Sequence, residues 1–328
     1  MELLDKLIAK KDLDENETRE MLVSLINQKI SPAKAGALLV ALRMKGETED
    51  EIAGFAKEMR RCAVSIDPDV RNLVDTCGTG GDSSRTINIS TISAIIAAGA
   101  GVPIAKHGNR SVSSKSGSFD VLEKLGVPIL EPGKVKLSIE KLGIGFMFAP
   151  LFHPSMKNIM PVRRELGVRS IFNMLGPLTN PAGAPNQLIG VYDPGLTEKF
   201  AVVLKNLGTK NALVVHSEGM DELGLGTSKV SELKNGKIEN YEIDAAQFNI
   251  EKKQVPTVKS ADESARFALK ILNGEKGAAR DVCILNAGAA IYVGGSSSTI
   301  AEGIEIAKNA IDDNSAMEKL GQIRGFGR

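Results

Sequence analysis

The sequence predicts an α/β protein: a small amino-terminal helical domain followed by a larger α/β domain with a mostly parallel central sheet. Three observations predict it. Residues 1–64 repeat apolar side chains at helical spacing with little strand signal. From Asp67-Pro68 onward, short apolar runs alternate with helical patterns, as βαβ units require. A length of 328 residues exceeds one minimal core and gives a soft expectation of two domains.

The amino-terminal region carries four helical patterns. Asp14 and Ser31-Pro32 are starts for the second and third, and Thr48 with Glu51 forms a capping-box pattern for the fourth. Leu22, Leu25 and Ile26, then Leu38, Leu39 and Leu42, fall on the faces that would be buried. The α/β region then reads as RNLVDTCG, a helix near 90–99, VPIAKHG, a helix near 118–125, and the apolar run VPIL at 127–130. Between roughly 154 and 176 the chain turns helical and proline-marked again. QLIGVYD, a helix near 196–207 and ALVVHSE follow. SELKNGKIENYEI, with Asn235-Gly236 at its centre, is a hairpin signal, and the tail after Ser260 is chiefly helical. Neither internal repeats nor low-complexity segments are evident.

Two polar, glycine-rich loops about twenty-five residues apart carry the functional signal. Cys77-Gly78-Thr79-Gly80-Gly81-Asp82 stands at a strand-to-helix junction, where free N–H groups and the helix dipole favour an anion. The segment from Lys106 to Ser114 adds Lys106, Asn109 and Arg110, three serines and then Lys115, which supply positive charge and hydroxyl donors. Together they read as a phosphate site. A Walker loop needs Gly-Lys-Ser/Thr after four spacers, and a dinucleotide fingerprint needs glycine where Ser83 stands, so neither nucleoside triphosphate nor NAD fits.

Composition sets further bounds. A net charge of +1 with no basic run argues against a long nucleic-acid footprint. The first residues lack an apolar core of signal-peptide length and no stretch reaches membrane-span length, so the expected location is cytoplasmic, with no membrane partner. Cys62, Cys77 and Cys283 are odd in number and widely spaced, which fits reduced thiols; Cys77 reads as a small buried residue.

These loops resemble the signatures of the anthranilate phosphoribosyltransferase family, GTGGD at 78–82 and KHGNRSVSSKSGSFDVLEKLG at 106–126. The resemblance continues through HPSMKNIMPVRRELGVRSIFNMLGPLTNPAG at 153–183 and HSEGMDELGLG at 216–226. It implies a nucleoside phosphorylase/phosphoribosyltransferase-like fold in which 154–176 returns to the helical domain of residues 1–66. Residues 67–153 and 177–328 would then form the phosphoribosyl-diphosphate-binding α/β domain, with a homodimer built through the helical domain. The implied reaction moves the phosphoribosyl group of phosphoribosyl diphosphate to the amine of anthranilate, releasing diphosphate, in tryptophan biosynthesis. No covalent nucleophile or assigned general base is needed.

By the same resemblance, the phosphoribosyl diphosphate contacts are Gly78, Gly81, Asp82, Thr86, Asn88, Ile89, Ser90 and Thr91 on one side. On the other are Lys106, His107, Gly108, Asn109, Arg110, Ser111, Val112, Ser113, Ser114 and Ser118. Anthranilate would meet Gly78, Asn109 and Arg163, with His107 nearby and His153 shaping the acceptor channel. Ser90, Asp221 and Glu222 would hold Mg2+, two ions per subunit. Alone, an adjacent Asp-Glu pair is normally a solvated surface pair; here it follows a predicted strand, as the phosphate loops do. Phe119 departs from the pattern, standing where the family usually has alanine, so its ring either packs under the helix or borders the pocket. Two other readings stay open. One is a pyrimidine nucleoside phosphorylase-like enzyme, similar in architecture but different at KHGNR and GTGGD; the other is a non-catalytic nucleic-acid-binding relative.

Overall fold

The computed structural model describes residues 2–80, 85–111 and 116–327. The amino-terminal helices are α1 (Leu3–Ile8), α2 (Glu15–Ile26), α3 (Pro32–Lys45) and α4 (Glu49–Arg61). The sequence-predicted starts hold at atomic level. Asp14 Oδ1 accepts from the Glu17 N–H at 2.9 Å while Glu17 Oε2 accepts from the Asp14 N–H at 2.8 Å. Ser31 caps α3 with Pro32 in its first turn, and Thr48 and Glu51 close the same reciprocal box on α4. Glu51 is fully buried; it also accepts from the Leu13 N–H at 2.8 Å and pairs with Lys45 at 2.9 Å. One carboxylate thus ties three segments of the helical region.

The rest of the chain runs β1 (Val74–Asp75), α5 (Ile89–Gly99), β2 (Ile104–Gly108), α6 (Ser118–Lys124), α7 (Pro132–Leu142), β3 (Ile144–Phe148) and α8 (Ala149–Phe152). It continues with α9 (Met160–Leu166), α10 (Phe172–Leu175), β4 (Asn186–Gly190), α11 (Leu196–Asn206), β5 (Asn211–Ser217), β6 (Thr227–Lys234) and β7 (Lys237–Asp244). The tail is helical as expected: α12 (Ala261–Leu272), α13 (Ala278–Val293), α14 (Ile300–Asp312) and α15 (Ser315–Gly325). Ile159, Val162, Phe172 and Leu175 share one apolar cluster with Leu22, Leu25, Leu38 and Phe55, so the middle segment packs on the amino-terminal helices. That cluster also takes in Phe200, Leu204 and Val214 of α11 and β5.

Among the described residues the sheet has seven strands in the order β3-β2-β1-β4-β5-β6-β7. The first five are parallel and the last two antiparallel. Asn235 and Gly236, both with positive φ, make the two-residue turn of the β6–β7 hairpin, with Lys234 opposite Lys237. One expected strand is corrected. VPIL at 127–130 is a connection into α7, and the strand beside β2 is instead Ile144–Phe148, paired from Ile104↔Ile144 to Gly108↔Phe148. Pro128 removes a backbone donor from the short apolar run, whereas Gly143, left-handed at φ 73°, ends α7 and turns the chain directly into IGFMF.

The strand order fixes where a ligand can sit. Successive strands step from β1 to β2 to β3 on one side, then the chain returns to place β4 on the other side of β1. The chain therefore leaves β1 and β4 towards opposite sides of the sheet, and a ligand crevice is expected outside their carboxyl ends at this switch point.

Candidate active site

The crevice is built around a close meeting of three strand ends. Thr79 N donates to the Gly190 carbonyl at 2.9 Å, Tyr192 N donates to Thr79 Oγ1 at 3.1 Å, and Gly80 N donates to Asp221 Oδ2 at 2.7 Å. The loop after β1 is thereby sewn to the end of β4 and to the acidic turn after β5. Gly78 and Gly190 are required by this closeness. A Cβ at 78 would lie 2.9 Å from Asp221 Oδ2 and 3.1 Å from the Gly190 carbonyl, and one at 190 would lie 1.4 Å from the Asp221 carbonyl oxygen. Asp221 is nearly buried and Glu222 half-buried. Asn286 of α13 holds the turn: its Oδ1 accepts from the Leu223 N–H at 3.0 Å and its Nδ2 donates to the Leu223 carbonyl at 2.9 Å.

Beneath the two loops lies a buried polar cluster. Asp75, the last residue of β1, is wholly inaccessible. Its Oδ1 accepts from the His107 N–H at 3.2 Å and its Oδ2 from Asn180 Nδ2 at 2.7 Å. Burial pushes its carboxyl up to about 6, opposed by the nearby Lys106 cation and by these hydrogen bonds. Lys106, 3% exposed, donates from Nζ to the Thr76 carbonyl at 2.7 Å and to Thr76 Oγ1 at 3.3 Å; Thr76 in turn donates to the Ser90 carbonyl at 3.2 Å. Lys106 therefore braces the start of the first loop from below and links it to the first turn of α5. Cys77 is half-buried rather than fully buried as expected, and desolvation raises its thiol, which keeps it protonated.

His107 and His153 stand together, ring centroids 5.1 Å apart. His107 Nδ1 is 3.1 Å from the Gly176 carbonyl and, among the described residues, its buried Nε2 has no partner; His153 Nε2 is 3.2 Å from the Thr179 carbonyl. Burial drives His107 down to about 3 and His153 to about 4, so both are neutral at physiological pH. They line the floor near the 176–180 segment as uncharged rings.

The second loop is held by α6. Asn109 O accepts from Ser118 Oγ at 3.1 Å and from the Phe119 N–H at 3.3 Å; Asp120 Oδ2 accepts from the Ser111 and Gly117 N–H groups at 3.0 and 2.9 Å. Arg110 is turned onto α6 in this conformation, 2.7 Å from Glu123 and 3.3 Å from Asp120, so it braces the loop. Asn88 joins the loops to the helical tail: its Nδ2 donates to Ser116 O at 3.1 Å and its Oδ1 accepts from Ser116 and Ser264. Thr86 forms an isolated bridge with Thr257, Ser90 is half-buried in the first turn of α5, and the side chains of Ile89 and Thr91 are buried. Phe119 is 2% exposed and 4.8 Å from Phe148, so its ring packs beneath Gly108. Gly81, Asp82, Val112, Ser113, Ser114 and Lys115 lie outside the described residues.

Arg163, on α9, stands apart from the phosphate loops in sequence and differs from its neighbours in character. It is half-buried, 5.3 Å over the Phe172 ring, with Nη1 3.7 Å from Met160 Sδ. Burial lowers its guanidinium from the usual value, and among the described residues it forms no ion pair. A cation held this way is suited to an incoming carboxylate. The adjacent Arg164 is exposed, and Arg169 stacks on Tyr192.

Asp221 and Glu222 fit magnesium by donor chemistry. They are hard oxygen ligands on one rigid turn, with glycine where any side chain would fill the space beside Asp221. Among the described residues no group of three His, Cys, Asp or Glu converges as a cage, and a site completed by phosphate oxygens needs only one or two carboxylates.

Asp75, Asn180, Gly190 and Tyr192 escaped the sequence reading. Asp75 carried a usable signal, a carboxylate at the end of the apolar run RNLVD where a parallel strand delivers its ligand loop. No described helix is long and apolar enough to cross a membrane.

Comparison with known proteins agrees with this geometry. Residues 70–317 match the glycosyl transferase family a/b domain, and residues 1–63 match the helical bundle domain of the same family. The chain is 50% identical to an anthranilate phosphoribosyltransferase of Acetivibrio thermocellus over 98% of its own length and 95% of the relative's. The crystal structure of the anthranilate phosphoribosyltransferase of Thermus thermophilus superposes with a TM-score of 0.94 at 41% identity, covering 99% of each chain. The Saccharomyces cerevisiae enzyme, in complex with PRPP and Mg, gives 0.89 at 25% identity, covering 98% of this chain and 95% of the yeast one. With the switch-point crevice, the two glycine-rich loops and identity along nearly the whole length in agreement, the chain belongs to the anthranilate phosphoribosyltransferase family.

Proposed function

We propose that this protein transfers the phosphoribosyl group of phosphoribosyl diphosphate to the amine of anthranilate, giving N-(5-phosphoribosyl)anthranilate and diphosphate. The observation that carries this reading is the junction of Gly78–Gly80, Gly190 and Asp221-Glu222, where backbone donors and carboxylates meet in one crevice beside Lys106. The diphosphate lies against the loop after β1 and the first turn of α5, where Asn88 and Ser90 stand, with Lys106, Asn109 and Ser118 on the other side. Anthranilate lies between Asn109, Gly78 and Arg163, its carboxylate on the Arg163 guanidinium. This places the acceptor in the cleft between the 1–66 and 154–176 helices and the remaining α/β domain.

Asp221, Glu222 and Ser90 would hold magnesium, two ions per subunit. Bound there, magnesium supplies charge neutralisation for the departing diphosphate. The protein's own residues do the rest. Gly80 and Leu223 backbone contacts fix the acidic turn, so the carboxylates are oriented before substrate arrives. An aromatic amine is already neutral at physiological pH, so the site needs no base to free its lone pair. Arg163 and Asn109 align that amine with the sugar carbon, and closure of the cleft keeps out competing water. The neutral His107 and His153 add no charge to repel the oxocarbenium-like sugar. A homodimer through the helical region is part of the same reading, and the exposed Ile8 and Met44 on α1 and α3 support it.

The test is anthranilate fluorescence followed in time with purified protein, phosphoribosyl diphosphate and magnesium, against an EDTA control. Decay requiring every component is the expected result. A flat trace from folded protein, or phosphorolysis of uridine or thymidine in its place, overturns the assignment.

A further inference from the structure

Arg169 lies three residues beyond the end of α9, and its guanidinium carbon sits 3.8 Å from the centroid of the Tyr192 ring. Its carbonyl accepts a hydrogen bond from Arg43 of α3. Tyr192, two residues beyond β4, gives its N–H to Thr79 Oγ1, and Thr79 N donates to the Gly190 carbonyl. These contacts form one continuous path from the helical region, through the segment that carries Arg163, to the glycine loop after β1. Both side chains are half-buried, where a cation over an aromatic face is worth about 1–2 kcal/mol. A second tie lies beside it: Lys199 of α11 donates to the Glu47 carbonyl, just beyond the end of α3, at 2.8 Å.

We infer that Arg169 and Tyr192 are positioning residues that set the placement of the acceptor arginine relative to the phosphate loop, acting as a stitch across the cleft. This rests on the acceptor reading of Arg163 given above. The stitch works through side chains on the acceptor side and through the Tyr192 backbone on the phosphate side. Removing the ring releases the Arg163 segment while the Tyr192 N–H to Thr79 persists. Acceptor binding therefore suffers and phosphoribosyl diphosphate binding does not.

The experiment compares Tyr192→Phe, Tyr192→Leu and Arg169→Met with the unaltered protein in steady-state kinetics, thermal unfolding and amide hydrogen exchange. Tyr192→Phe keeps the aromatic face and loses only the hydrogen bond between Arg169 and the Tyr192 hydroxyl, so its KM for anthranilate stays closer to wild type than that of Tyr192→Leu. Tyr192→Leu and Arg169→Met raise KM for anthranilate about tenfold, the equivalent of the lost contact, with KM for phosphoribosyl diphosphate within about twofold. In both variants, exchange quickens in the peptide spanning 163–172. Exchange needs no turnover, so it judges the stitch independently of the reaction: an inactive wild-type enzyme defeats the proposed function alone. The inference is overturned by wild-type acceptor KM and exchange in Tyr192→Leu, by a Phe variant as impaired as the Leu one, or by both KM values rising together with a lowered Tm.

Discussion

At the scale of single residues, the site depends on charges and rings kept where water would not leave them. The histidines give a pH signature. Each has a folded pKa below its unfolded value of 6.5, so the unfolded chain binds protons first and stability is lost as pH falls through 6.5 towards 4 and 3. Asp75 has the opposite sign: raised to about 6 from 3.8, it costs stability above pH 6, and that cost is relieved as pH falls from 6 to 3.8. Two histidines outweigh one carboxyl, so lowering the pH from 7 to 5 should reduce unfolding free energy by roughly 2 kcal/mol, read from urea midpoints. A His153→Gln variant should show a shallower loss. Gly78→Ala tests the crevice from the other side: its methyl meets Asp221 Oδ2 and should abolish magnesium-dependent turnover while lowering Tm by only a few degrees. Retained turnover would show that the acidic turn can give way.

At the scale of elements, caps and loop anchors decide what the sequence revealed. Asp14, Ser31 and Thr48 were legible because a cap is a local event, three residues from its partner. Thr48→Ala should cost about 1 kcal/mol, visible in equilibrium unfolding, with turnover unchanged. VPIL misled because an apolar run of four reads equally as strand or connection, and only pairing with β2 decides between 127–130 and 144–148. Phe119 was ambiguous for the same reason. Its ring is packed between Gly108 and Phe148, so Phe119→Ala should cost about 3–5 kcal/mol of stability and leave both KM values close to wild type. A large shift in anthranilate KM without loss of stability would place the ring in the pocket instead.

At the scale of the whole molecule, the glycine loops and acidic turn were legible in outline because βαβ alternation sends successive strand ends to one edge of the sheet. What the chain did not disclose is which strand ends touch. Asp75 with Asn180 and Gly80 with Asp221 are joined across more than a hundred residues, and no spacing rule reaches that far. Arg110 shows the converse. It sits in a loop that reads as phosphate-binding, yet the fold supplies Asp120 and Glu123 of α6 as its partners.

The contact between position 190 and the Asp221 backbone also bears on how this chain can change over generations. With an oxygen of the peptide chain 1.4 Å from where a first side-chain carbon would stand, no replacement at 190 is viable by itself. A lineage leaving glycine there must first remodel the 217–224 turn, the segment that carries the carboxylates. Drift in the buried floor of the sheet is thereby bound to drift in the acidic turn, and neither can wander far ahead of the other.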